Sequence, residues 1–307
     1  MFRYVTVASA LKLFSTNDLT KKVYRYLGNT MGANRRAHAG LPRAYLERAR
    51  EILAQVRKHD ILKPGDRVLE LGTGWVHWEA TVLRLFYSVQ VELFDVWDNR
   101  QFKVFQGYVA ELATVMDREI PISQAEMVCV HRLLGMLAKA NSFADVYAML
   151  GYRYIVDSNG TLDIFPDNHF KLIVSSSVLE HVKKELIASV IDGCYRMLAP
   201  GGYCIHLIDL SDHLAHYDKN VSLKNYLRYP DATWRILFQN DVQYFNRVQR
   251  PEWHDYFERA GFVLVEEHRN TVDLAGVRIA PVYAGLTTDD LACLAMHVVY
   301  RKPNGCV

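Results

Sequence analysis

The sequence predicts an α/β protein built on a doubly wound, mostly parallel sheet, and three observations carry that expectation. Short apolar runs alternate with helical stretches, the pattern of right-handed strand–helix–strand crossovers. Several runs end on glycine, serine or aspartate, where open sheets of this class bind their ligands. Half of the 307 residues are hydrophobic, enough to fill the core of one large domain or two small ones.

Residues 43–58 place Leu46, Ala49, Ile52, Leu53 and Val56 at helical spacing, so an amphipathic helix leads into the turn Lys63-Pro64-Gly65-Asp66. The period then changes. Val68, Leu69 and Leu71 read as a buried parallel strand ending at Gly72. Runs at 89–94, 152–156, 170–174 and 203–208 repeat the pattern and stop at Asp95, Asp157, Ser175 and Asp209. Leu179, Val182, Leu186, Val190 and Leu198 predict one helix after the fourth strand, closed by Ala199-Pro200-Gly201-Gly202. Residues 261–266 and 294–300 predict an edge pair that brings the sheet to seven strands.

Two segments exceed what a crossover needs. Residues 96–151 read as several helices, and residues 211–250 are rich in Tyr, Trp, Asn and Arg; both are expected as lids over the strand ends. The expected division is a basic helical segment at 1–60 and a domain at 61–307 with insertions at 96–151 and 211–250.

Composition narrows the function classes. No apolar run approaches the roughly 20 residues of a membrane span, and MFRYVTVASALKLF lacks the length and cleavage site of a signal peptide, so a cytoplasmic protein is expected. The five cysteines (Cys129, Cys194, Cys204, Cys293 and Cys306) form no CxxC and are expected as reduced thiols. Residues 1–60 hold 12 Lys and Arg against 4 Asp and Glu. Either this segment meets an anionic surface such as phospholipid, or these are helix faces packed on an acidic body. The sequence does not define an oligomeric state.

The turn Gly72-Thr73-Gly74-Trp75-Val76-His77 lacks the third glycine of a dinucleotide fingerprint, and bulky Trp75 follows at once. Glu70 would repel a pyrophosphate but suits a cationic, phosphate-free ligand. Asp95, at the end of the second strand, can accept from both hydroxyls of a ribose, a feature shared with nicotinamide enzymes.

Together, ELGTGW (70–75), the acidic strand end at Asp95, PDNHFKLIVSSSVLEHV (166–182) and RMLAPGGYCIHLID (196–209) resemble the successive motifs of class I S-adenosylmethionine-dependent methyltransferases, in particular their broad small-molecule branch. The resemblance spans residues 61–300 and implies a Rossmann-like methyltransferase fold. It implies S-adenosylmethionine as cofactor, with Glu70, Gly72 and Gly74 lining its methionine part and Thr73 and Trp75 among the further cofactor contacts. Asp95 would hold the ribose, the turn from Asn159 to Leu162 would flank adenine, and Ser175 and Ser176 would sit beside the sulfonium. Val76 departs from the family's third glycine, and no Asp-Ala pair follows the third strand.

Methyl transfer to a hydroxyl needs alignment and a base. The densest ionisable cluster follows the fifth strand: Asp209, Asp212, His213, His216 and Asp218. His213 first and His216 second are candidate bases, with Asp209 or Asp212 orienting the imidazole; the same groups suit a divalent ion, or a loop that caps a helix. No metal is assigned. His181 is a further catalytic candidate. Asp209, Tyr244, Asn246 and Arg247 are the expected acceptor contacts, for a small molecule or a glycan. Two other readings stay open: a nicotinamide oxidoreductase, and a binding module without turnover. Nucleic acid is disfavoured because Ser175-Ser176-Ser177-Val178 stands where base methylation carries an Asn-Pro-Pro-Tyr type signature.

Overall fold

The computed structural model describes residues 2–305, and Cys306 lies outside them. Seven strands form one sheet in the order β3-β2-β1-β4-β5-β7-β6. β1 (Arg67–Leu71), β2 (Gln90–Asp95), β3 (Tyr152–Val156), β4 (Phe170–Ser176) and β5 (Leu198–Asp209) run parallel. β7 (Cys293–Arg301) lies antiparallel between β5 and β6 (Val263–Thr271), so the C-terminal pair extends the sheet with the later strand inside.

Alternation along each strand separates two cores. Val68, Val91, Leu93, Leu172 and Val174 face α3 (Arg43–Lys58), α4 (Trp78–Phe86), α5 (Phe102–Glu119), α6 (Gln124–Leu137) and α7 (Phe143–Leu150). Leu69, Leu71, Ile173 and Cys204 face the other way, against α8 (Ile187–Met197) and α10 (Arg250–Arg259). Residues 96–151 therefore supply a helical layer on the sheet: Phe105, Leu112, Met116, Leu134 and Leu150 are buried in it.

A third core joins α1 (Phe2–Phe14) to the insertion after β5, with Tyr4, Ala8 and Leu11 among Leu214, Tyr226, Trp234, Phe238 and Phe245. Hence residue 60 does not divide the packing: α1 shares a core with residues 211–250, and α3 shares one with β1. The insertion itself is mostly irregular, with two short 3-10 turns and one short helix, α9 (Asp231–Leu237).

α2 (Asp18–Ala39) starts at a capping box on Asn17 and buries no residue. It lies across the ends of β1 and β2: Arg25 stacks on Trp97 and Arg36 on Trp75, each at 3.6 Å, and Arg36 Nε donates to Gln101. Other basic residues of the first segment pair with the acidic body, as in Lys21–Asp241, Arg48–Glu79, Arg50–Glu119 and Arg57–Glu126. Part of the charge asymmetry is thus internal pairing. Among the described residues no helix is long and apolar enough to cross a membrane.

One helix differs from expectation. Residues 179–186 form two short 3-10 turns, and α8 starts only at Ile187. The cause is a distant clamp: Asn246 Nδ2 donates to Leu179 O at 2.9 Å and Val182 O at 3.1 Å, while Asn246 N donates to Glu180 O. Carbonyls that a helix would use for its own ladder are already taken.

Candidate active site

The glycine turn is built for close approach. Gly72 and Gly74 both have positive φ, 63° and 61°. A Cβ on Gly72 would stand 2.4 Å from Val178, so the β4 loop packs directly on this backbone. A Cβ on Gly74 would meet nothing nearer than Gly72 O at 3.8 Å, which leaves its outer face open to a ligand. Asp95 holds the turn, accepting from Gly74 N at 2.9 Å and Trp97 N at 3.2 Å. Burial raises its pKa, and these N–H donors oppose the shift.

Glu70 does not face that opening. It is 2% exposed and accepts from Ala80 N at 2.8 Å, bracing the first turn of α4 from below. Burial, then the neighbouring Glu79, pushes its pKa well above the carboxylate range. Thr73 is likewise an anchor: its hydroxyl pairs with His77 Nδ1, and His77 Nε2 meets Tyr147 Oη at 2.8 Å. Burial, reinforced by Arg100, lowers the pKa of His77 to about 3. Trp75 is partly exposed beneath Arg36.

The turn after β3 closes beside this end. Asp157 accepts from Asn159 N and Thr161 Oγ1, Gly160 packs near Val96, and Leu162 is buried in the second core. Ser175 is buried and pairs with His206 Nδ1 at 2.8 Å, while Ser176 ends β4 half-buried. Both serines line a cavity of about 70 Å³ on the α3 side, where Gln55 Oε1 and His206 Nε2 lack hydrogen-bond partners and mark places for ordered water.

The histidines gather at the ends of β4 and β5. His213 Nε2 lies 3.5 Å from Asp209 Oδ2, and the His181 and His213 rings are 5.1 Å apart. His216 follows at 6.1 Å from His213, its Nε2 facing Ser211 Oγ at 3.2 Å. Burial raises the pKa of Asp209, but His213 and Ser211 more than reverse this and hold it at about 2. His181 Nδ1 donates to Tyr244 O at 2.6 Å, which leaves Nε2 as the ring's acceptor.

Other expected residues serve the scaffold. Asp212 turns away from the imidazoles and takes the Tyr4 hydroxyl at 2.7 Å, fastening α1. Asn246 clamps the 179–182 turn, and Arg247 donates to Tyr226 O and Tyr229 O, pairs with Asp231 and stacks on Trp234. Asn246 is fully engaged, its Oδ1 taking Val248 N, and two of the three guanidinium nitrogens of Arg247 are occupied. Tyr244 accepts from Lys184 N through its hydroxyl.

Two residues were missed. Glu180 is 2% exposed with neither carboxylate oxygen hydrogen-bonded; its signal was the carboxylate beside His181 in Leu179-Glu180-His181. Lys224 is buried against Leu210 O, Tyr226 Oη and Gln249, and burial lowers its pKa to about 7; nothing in its local pattern announces this.

Sheet order, glycine turn and acidic strand end define a nucleoside-binding α/β transferase. The family model described as "Methyltransferase domain" matches residues 40–267, and the chain belongs to that family. Among solved structures it is similar to phosphoethanolamine N-methyltransferase 2 of Haemonchus contortus with S-adenosyl-L-methionine: 16% identity, TM-score 0.46, 83% of this chain and 52% of that one. The chain thus spans about half the length of that enzyme. Similar too are the YcgJ protein of Bacillus subtilis (14%, TM-score 0.45, 83% and 98% covered) and a SAM-dependent methyltransferase of Methanosarcina mazei (15%, TM-score 0.44, 81% and 97%). No curated protein matches the chain.

Proposed function

We propose that this methyltransferase moves a methyl group from S-adenosylmethionine to an oxygen of a small metabolite or glycan. The observation that carries the reading is the Asp209–His213 pair, set beside His181 at the carboxyl ends of β4 and β5, next to the glycine turn across β1. The residues present fit the cofactor: Gly74 offers open backbone, Asp95 offers an acceptor for ribose hydroxyls, and no glycine-rich phosphate cradle competes.

When bound, the cofactor supplies an electrophilic methyl on a sulfonium. The chain's own part is alignment and activation of the acceptor. Asp209 stays ionised at neutral pH and orients His213, whose imidazole draws the proton from the acceptor hydroxyl as attack proceeds. Asp212, Asn246 and Arg247 act on this site only by holding its loops. α2 covers the cofactor end through Arg25 and Arg36 and so serves as a lid on the domain.

Calorimetry with S-adenosylhomocysteine and with NAD tests the cofactor; heat from NAD alone would end the reading. Incubating the protein with isotope-labelled methyl donor and a metabolite extract, followed by mass spectrometry, identifies the acceptor. A labelled product in which the methyl sits on nitrogen would overturn the oxygen assignment.

A further inference from the structure

We propose that Glu180, His181 and His213 form a binding site for a divalent transition-metal ion of the zinc class, at the carboxyl ends of β4 and β5. One ligand atom from each residue lies within 4.8 Å of the other two. Two imidazoles and one carboxylate are the donor set of three-coordinate protein sites that keep a position open.

Glu180 supplies an independent observation. It is 2% exposed, one of its oxygens is part of this triangle, and both oxygens lack a hydrogen bond. A buried carboxyl left this way is costly, and a cation shared with two imidazoles removes the cost.

The surroundings are those of metal-binding histidines. His181 donates Nδ1–H to Tyr244 O at 2.6 Å, which fixes the ring and aims the lone pair of Nε2. Asp209 stands 3.5 Å from His213, a carboxylate partner for the second imidazole. With bonds of about 2.0 Å in a tetrahedral site, donor atoms sit about 3.3 Å apart, so the triangle closes by modest side-chain rotation. Asn246 holds the 179–182 turn rigid while it does so.

The site itself is independent of the proposed function; its use rests on that reading. Its open position would hold the acceptor's hydroxyl oxygen and make it more acidic; the proton would pass to solvent water, and as the O–CH3 bond forms the S–CH3 bond would break and S-adenosylhomocysteine leave. His213 would act as base in the metal-free chain; with the ion bound it would become a ligand, and the ion would take over activation of the acceptor.

Cobalt(II) titration of the chelator-treated full chain, read by visible absorption and calorimetry without cofactor, tests this. Wild type is expected to bind one ion with a tetrahedral cobalt spectrum. Glu180→Gln and His213→Ala should weaken binding by about 100-fold, and His131→Ala, a surface control, should not. No cobalt band in wild type overturns the proposal whatever the variants do, as does equal binding by a folded Glu180→Gln chain. S-adenosylhomocysteine affinity, measured alongside, reports the cofactor site: metal bound without it sinks the proposed function alone, and the reverse sinks the metal site alone.

Discussion

At the ends of β1 and β2, polar groups are answered close by: Asp95 by Gly74 and Trp97, Thr73 by His77, Glu70 by Ala80. At the ends of β4 and β5, Asp209 pairs locally with His213 and Ser211 with His216, but other partners come from far along the chain. His181 answers to Tyr244, the 179–182 carbonyls to Asn246, and Asp212 to Tyr4, while Glu180 has no partner. The first end is a rigid local turn that any ligand must fit. The second is an assembled cluster holding an unmet demand, and such demands concentrate where chemistry is done.

The largest effect should come from the assembled end. His213→Ala removes the group that activates the acceptor, and kcat should fall by about 10²- to 10⁴-fold with S-adenosylhomocysteine affinity unchanged. Asp209→Asn should fall less, because the imidazole remains but is less well oriented. Normal turnover by His213→Ala would break the contrast between the two ends.

Gly72→Ala should do the reverse. The new methyl would press on Val178 at 2.4 Å from a positive φ, at a cost of about 2 to 3 kcal/mol in denaturant stability and with loss of cofactor binding. Adding Val178→Ala should restore stability in part, since it relieves the overlap but not the backbone strain. If the single variant binds S-adenosylhomocysteine like wild type, this turn is not the cofactor's seat.

This contrast also explains what was legible in the sequence. The strand runs, the α3 helix and the turn at Gly72-Thr73-Gly74 are local, so residue pattern alone locates them. Glu70 is legible as a strand-end carboxylate, but its bond from Ala80 N is not, because that depends on how α4 packs over β1. The helix expected from Leu179 fails because its carbonyls are claimed by Asn246, more than 60 residues away. Arg247 looked like a free cation by composition, yet its guanidinium is absorbed by carbonyls and Asp231. Pairing His213 with Asp209 was one of two options; only the Tyr4 bond from α1 removes Asp212 from contention.

Asn246→Ala should cost about 2 kcal/mol, since two buried carbonyls lose their donor. Hydrogen exchange should quicken across residues 179–186 and stay unchanged across 72–80. Equal loosening of both ends would mean that they are one cooperative unit.

The smallest effect concerns Asp212. Burial raises its pKa from 3.8 to about 6, although Tyr4, Leu214 and Ala215 donate to it. Between those two values the folded chain holds one proton more than the unfolded chain, so stability should fall as pH rises from about 4 to 6 and then level off. The shift corresponds to at most about 3 kcal/mol. Asp212→Asn keeps an acceptor for the Tyr4 hydroxyl and abolishes the charge, but it loses the charge-assisted bonds and adds an N–H₂ that needs a partner. A net gain of about 1 kcal/mol above pH 7 is therefore expected, with a flatter pH profile and unchanged turnover. A drop in turnover with stability intact would instead return Asp212 to the catalytic cluster beside His213.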